Sequence, residues 1–359
     1  MSRVCKLQVT KTREPLSIVR AMFMTAFVVS AVLEASPAAQ KPKEPAPPKA
    51  AAPKVVTFEG ACDASGAVVR GEWSFTVADD EDNVIRVYDA RTGGRPVSTV
   101  DLSAGLELPV GKKKAPEADI EAATEIPPLS FWLTSHGRKS SGKLDANRFR
   151  FFATRSSDDG RTIRFEGKPY TRLLEDLLAA PQLAAFDLAS ASTRAPKEEG
   201  GLNIEGMTAM ADGKTLLIGF RNPLPQGKAL TVELLNPMEL PQGKSARLGA
   251  ARLLDLGGLG IRAISWWRGR YLFIGGAIAG EGTSRLFTWD GKAERPSGVD
   301  GIDLTGFNPE AFATFEDKEE ILLLSDDGSR LIDGVECKRL REPEKKRFRG
   351  VWVRLPARP

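Results

Sequence analysis

The sequence holds a single histidine, His136, in 359 residues. That excludes a zinc site built from several imidazoles, and with it the usual zinc-protease arrangement. Other motifs are missing too. No GxGxxG opens a helix, no P-loop lysine motif appears, and no GxSxG marks a nucleophile elbow. The Gly-rich GGLGIR (257–262) precedes a strand pattern and reads as a tight turn. Nor does the bulk of the chain carry an excess of either charge. Residues 1–54 hold nine Lys/Arg against three Glu, and the rest of the chain holds 42 Lys/Arg against 44 Asp/Glu. A nearly neutral body gives no basic footprint, so no nucleic-acid partner is expected. The one basic run, KKRFR (345–349), reads as a solvated loop.

Long apolar runs are absent as well. AMFMTAFVVSAVL (21–33) has thirteen residues, short of the roughly 20 that span a bilayer. With Arg13 and Arg20 before it and small residues after it, it suits a signal-peptide core over residues 1–38, cleaved near Ala35 or Ala38. An uncleaved N-terminal anchor is the alternative. KPKEPAPPKAAAPK (41–54) cannot build a core, and residues 39–54 read as an extended tether. An exported protein, periplasmic or secreted and without a membrane span in its mature form, follows as the expectation. Of three cysteines, Cys5 lies ahead of the apolar run; Cys62 and Cys337 remain, one near each end of residues 55–359. In an oxidising compartment they are disulfide candidates.

What the body has in abundance is short strand patterns around one repeated template. It reads Asp119-Ile-Glu121-Ala, Asn203-Ile-Glu205-Gly and Asn308-Pro-Glu310-Ala, with weaker copies at Asp63-Ala-Ser65-Gly and Gly260-Ile-Arg262-Ala. Each copy precedes an apolar strand that ends in polar residues: FTVADDEDN (75–83), FWLTSHG (131–137), LLIGFRN (216–222), LFIGGA (272–277) and ILLLSDDG (321–328). Further strand patterns follow, such as NVIRVYD (83–89) and ALTVELL (229–235). A unit of roughly 50 residues holding three or four antiparallel strands is a propeller-blade signature. The expected fold is an all-β propeller of about five blades over residues 55–359. A sixth could hide near YTRLLEDLLAAPQLAAFDL (170–188), whose Leu spacing reads as a short helical insertion packed on the propeller. VVTFEGA (55–61) and GVWVRL (350–355) are strand-like and lie at opposite ends, so one blade would close the ring with both.

Antiparallel pairing returns the end of each second strand to the face where the first began. That face would gather Glu121, Glu205, Glu310 and Asp326 with Asp79, Asp80, Arg221, Arg262 and His136. Charges crowded at a channel mouth must be paired or metal-bound. Either Arg221 and Arg262 neutralise the carboxylates, or a hard cation, Ca²⁺ or Mg²⁺, sits among the oxygens.

The combination ACDASGAV (61–68), VADDEDNVIRVYD (77–89), EADIEA (117–122), TSHGRKSSGK (134–143), NIEGM (203–207), IGFRNPL (218–224), LDLGGLGIR (254–262) and LSDDG (324–328) resembles an exported bacterial family of unknown function. That family is similar at fold level to the esterase-like phytase propellers. The resemblance implies a secreted propeller-like fold and no reaction. Two departures stand out: EADIEA has Ala where the family tends to have Gly, and GIRAI has Ala where an acidic residue is common, which weakens an acid–base role for Arg262.

Two function classes follow. One is a binding scaffold for a small molecule or an envelope protein, with a polar, cation-binding mouth. The other is a metal-assisted hydrolase of an ester or phosphoester. In the second, Glu121, Glu205, Glu310 and Asp326 would bind the metal, His136, Asp79 and Asp80 would serve as acid, base or further ligands, and Arg221 and Arg262 would clamp an anion.

Overall fold

A computed structural model describes residues 54–109, 115–157, 162–279 and 284–356. The expected export signal, and the tether except Lys54, lie outside the described residues.

Five four-stranded antiparallel sheets form the five blades. The innermost strands of blades 1 to 5 are Gly66–Arg70, Ile120–Ile126, Asn203–Ala209, Gly260–Trp267 and Pro309–Ala313. Each of these touches the next, and the fifth touches the first, so the ring is closed. The second strands are Ser74–Ala78, Leu129–Thr134, Leu216–Asn222, Arg270–Gly276 and Glu320–Ser325. They read as nearly continuous apolar runs because neighbouring blades cover both of their faces. Within blade 5, Ile321 and Leu323 face blade 4 while Leu322 and Leu324 face blade 1. Each joint between adjacent blades holds its own apolar cluster. At the joint of blades 5 and 1, for example, Phe58 stacks on Phe348 and meets Phe75 and Tyr88 edge-on. Outer strands such as Leu248–Leu254 are half exposed and alternate weakly.

Closure is as expected. The first strand of the described chain, Val55–Glu59, pairs with the last, Arg347–Arg354, to complete blade 5. The expected disulfide is present, joining Cys62, just past that first strand, to Cys337. The KKRFR run is not a free loop. Its second half opens the last strand, and Arg349 forks onto Asp327 at 2.7 and 2.6 Å. The helical insertion runs from Leu173–Ala179 through Leu188–Ala191. It starts later than the sequence suggests because Tyr170 ends the outer strand of blade 2, Ile163–Tyr170. Leu173, Leu177, Leu183 and Leu188 pack into the joint of blades 2 and 3. Blade-like strands are absent from that insertion, so no sixth blade stands among the described residues.

The residue after the third template position is small in every blade: Gly66, Ala122, Gly206, Ala263 and Ala311. The inner strands need that. A Cβ on Gly206 would come within 2.6 Å of Ile261, and one on Gly66 within 3.1 Å of the Ala122 backbone. Along the axis the inner strands leave a cavity of about 340 Å³, lined in part by Thr124, Thr208, Ser265 and Thr314, with Glu205 at one end.

Candidate functional site: the channel mouth

The template charges reach one mouth through a repeated backbone device. In blades 2 to 5 the pairing of first and second strands slips by one residue at the template. Ile120 pairs with Thr134 and Ala122 with Leu133, leaving Glu121 as the extra residue. Glu205, Arg262 and Glu310 are the extra residues of blades 3, 4 and 5 in the same way. A β-bulge bends its strand locally and re-aims the inserted side chain. Here that happens four times around one axis, and all four side chains are at least nine-tenths buried.

Arginine neutralises one side of the mouth. Arg221 Nη1 donates to Glu205 Oε1 at 2.8 Å and stands 4.0 Å from Glu310 Oε1. Arg262 donates to Glu310 and to Asn308 Oδ1, and its Nε lies 3.8 Å from Glu205 Oε2. Asn203 Nδ2 also donates to Glu205 Oε1, at 2.6 Å. Burial pushes the Glu310 carboxyl up, but Arg262 and Arg221 outweigh it and hold the group below its ordinary value. Burial works against the Arg262 charge too, and Glu310 and Glu205 reverse that, so its guanidinium is held more firmly than in water. The Arg262 stem lies flat on Gly276, where a Cβ would sit 2.5 Å from Cδ.

The other side is less well supplied with basic partners. Asp63, Glu310 and Asp326 bring carboxylate oxygens within 4.8 Å of one another, and so do Asp80, Asp119 and Glu121. Among the described residues no ion pair reaches Asp63, Asp80, Glu121 or Asp326. Asp63 Oδ1 and Asp80 Oδ1 are buried with no hydrogen-bond partner. Asp326 accepts from Asn308 Nδ2 at 2.9 Å and from the Gly328 N–H at 2.8 Å. Asp119 is in the left-handed region (φ 63°) and receives Arg148 Nη1 at 2.9 Å. Burial first, and neighbouring carboxylates second, push Asp63, Asp80 and Glu121 well above the usual range. Burial raises Asp119 to about 6 although Arg148 opposes it.

The residues singled out from sequence thus divide. Glu121, Glu310, Asp326 and Asp80 enter the two triads, while Glu205 is held by Arg221 and Asn203. Arg221 and Arg262 are spent on Glu205 and Glu310 instead of standing free to clamp an anion. Asp79 caps the loop into blade 1, accepting from the Cys62 N–H at 3.0 Å and the Glu81 N–H at 2.9 Å. His136 joins neither triad. It is buried against Phe149 with Nδ1 2.8 Å from the Thr134 carbonyl, and burial lowers it to about 4. Sequence reasoning missed Asp63, Asp119 and Arg148 as site residues. The signal for the first two was present, since Asp fills the first template position in blades 1 and 2 where blades 3 and 5 have Asn.

The family model described as Protein of unknown function (DUF3616) matches residues 152–299. This chain carries that match across blades 2 to 4. An uncharacterised family with a propeller fold is therefore what the sequence motifs pointed to. No curated protein matches the chain. Among solved structures it is similar to a glutaminyl cyclase from Myxococcus xanthus, with TM-score 0.44 and 11% identity over 85% of this chain and 96% of that one. It is also similar to a PQQ-bound aldose sugar dehydrogenase from Streptomyces coelicolor, with TM-score 0.41 and 12% identity over 85% of this chain and 100% of that one. Neither likeness bears on the chemistry of this mouth.

Proposed function

We propose that this protein is an exported, non-catalytic binding propeller whose channel mouth is organised by a hard divalent cation, and that the cation-bearing mouth receives a small molecule or an envelope partner. One observation carries the reading: Asp63, Asp80, Glu121 and Asp326 crowd one mouth, and among the described residues no basic side chain is paired to any of them. Carboxylates removed from water need a compensating charge or a proton. Ca²⁺ takes six to eight oxygens at about 2.3–2.6 Å in flexible geometry, whereas Mg²⁺ keeps several waters and tolerates less distortion. A rigid, carboxylate-rich mouth suits Ca²⁺ better.

The scaffold reading is favoured over hydrolysis by the state of His136. It is buried, neutral at ordinary pH and apart from both triads. Export is supported by the Cys62–Cys337 bridge and by the apolar run at 21–33; among the described residues no helix is long and apolar enough to cross a membrane.

Thermal unfolding of the purified protein with chelator, and then with Ca²⁺, Mg²⁺ or Mn²⁺, tests the reading. The midpoint should fall on chelation and recover best with Ca²⁺. No metal-dependent change would overturn the cation reading. Hydrolysis of generic ester or phosphoester substrates that disappears in Glu205→Gln would overturn the scaffold reading.

A further inference from the structure

The joints between blades differ in what holds them at the mouth. Between blades 3 and 4, Glu205 and Arg221 of blade 3 face Arg262 of blade 4. Between blades 4 and 5, Arg262 reaches forward to Asn308 and Glu310. A guanidinium therefore bridges each of these joints. At the joint of blades 5 and 1 the corresponding groups are Glu310 and Asp326 of blade 5 and Asp63 on the loop entering blade 1. At the joint of blades 1 and 2 they are Asp80, past the second strand of blade 1, and Asp119 and Glu121 entering blade 2. Both of these joints bring carboxylates together from two blades, and among the described residues no basic side chain bridges the two blades there. Arg148 does not fill that role, because it binds Glu117 and Asp119 from within blade 2.

Each triad also holds a group that points to a ligand. Asp63 is 5% exposed and its Oδ1 has no partner. Glu121 is 8% exposed and no hydrogen bond or ion pair reaches its carboxylate among the described residues, though its oxygen converges on those of Asp80 and Asp119. The bulges that aim Glu310 and Glu121 are the same device that aims Arg262.

We infer that the mouth holds two separate Ca²⁺ ions, one on Asp63, Glu310 and Asp326 and the other on Asp80, Asp119 and Glu121, each stapling two adjacent blades as Arg262 does at the neighbouring joints. The inference rests on the cation reading above and adds the number, the ligand sets and the structural role. With one oxygen from each, three carboxylates leave three to five of the six to eight Ca²⁺ positions for water or a ligand oxygen. Each ion thus presents open coordination at the mouth, and the class of ligand it would take is one rich in anionic or hydroxyl oxygens.

Equilibrium dialysis of the full chain against CaCl₂, with bound calcium measured by mass spectrometry, decides the matter. The wild type should bind two ions per chain. Glu121→Gln and Asp80→Asn should each leave one, and so should Asp63→Asn and Asp326→Asn. Combining one substitution from each set should leave none. Circular dichroism of each variant checks that the propeller is intact, and the wild-type stoichiometry needs no variant at all. One ion in the wild type, or loss of both ions in Glu121→Gln alone, would overturn the two-site inference and leave the cation reading standing. No bound calcium would overturn both, with protons shared between carboxylates in the place of metal.

Discussion

Arg262 is the point at which the neutralised side of the mouth can be taken apart. Arg262→Met keeps the stem that lies on Gly276 and removes only the guanidinium. In the presence of chelator, Glu310 is then left buried with Arg221 at 4.0 Å as its remaining basic partner, and Asn308 loses a donor. Removing one partner of a buried ion pair costs about 3–5 kcal/mol, because the other charge is stranded. Neutralising the stranded charge as well, in Arg262→Met/Glu310→Gln, should recover a large part of that loss. The coupling read from the double-mutant cycle should be about 1–3 kcal/mol. Chemical denaturation at pH 7 gives the quantities directly, since a changed midpoint at constant slope reports stability. pH provides an independent check with a definite sign. In the wild type Glu310 titrates below its ordinary value of 4.5, so the stability it contributes is present above that value and is lost as pH falls through the lower one. Without Arg262, burial works against the Glu310 charge with Arg221 as the one arginine still opposing it, so the group moves up. The gap between wild type and Arg262→Met should therefore narrow on acidification. A single variant that loses under about 1 kcal/mol, with additive behaviour in the cycle, would mean that Arg262 is not the neutralising partner. It would then be free to bind an external anion.

Two further perturbations probe the frame around the mouth. His136 is lowered by burial to about 4 from 6.5, so only the unfolded state takes up a proton between those values; stability should fall by about 1.4 kcal/mol per pH unit below 6.5, roughly 3 in all. His136→Asn, which suits the left-handed backbone there (φ 52°), should flatten that part of the pH profile; an unchanged profile in circular-dichroism melts would show that another group titrates. The Cys62–Cys337 bridge closes a loop with a sequence separation of 275 residues and ties down the turn that carries Asp63, so Cys62→Ser/Cys337→Ser should cost about 2–5 kcal/mol. Equal denaturation midpoints for the bridged protein and this variant would refute that.

How much of this could be read beforehand depends on what repeats. The third template residue recurs once per blade, and so Glu121, Glu205, Arg262 and Glu310 could be placed at one mouth from spacing alone. Ring closure was legible because both chain ends read as strands and a propeller cannot leave them unpaired. The outer strands were harder. Ile163–Tyr170 is half exposed and contains Gly and Pro, so periodicity does not mark it. The bulges are invisible for a different reason: inserting one residue leaves the alternation on either side intact. The division of charge was the least legible part. Arg148 answers Glu117 and Asp119 from about 30 residues downstream, through a turn whose position depends on how blade 2 folds back. Arg262 serves one Glu in its own joint and another in the next. A repeat states which slot each residue fills within its blade, whereas neutralisation is settled between blades. Once the blades are ordered around the axis, the two joints that carry a carboxylate triad separate from the two bridged by Arg262, and that contrast is what the proposed cation sites rest on.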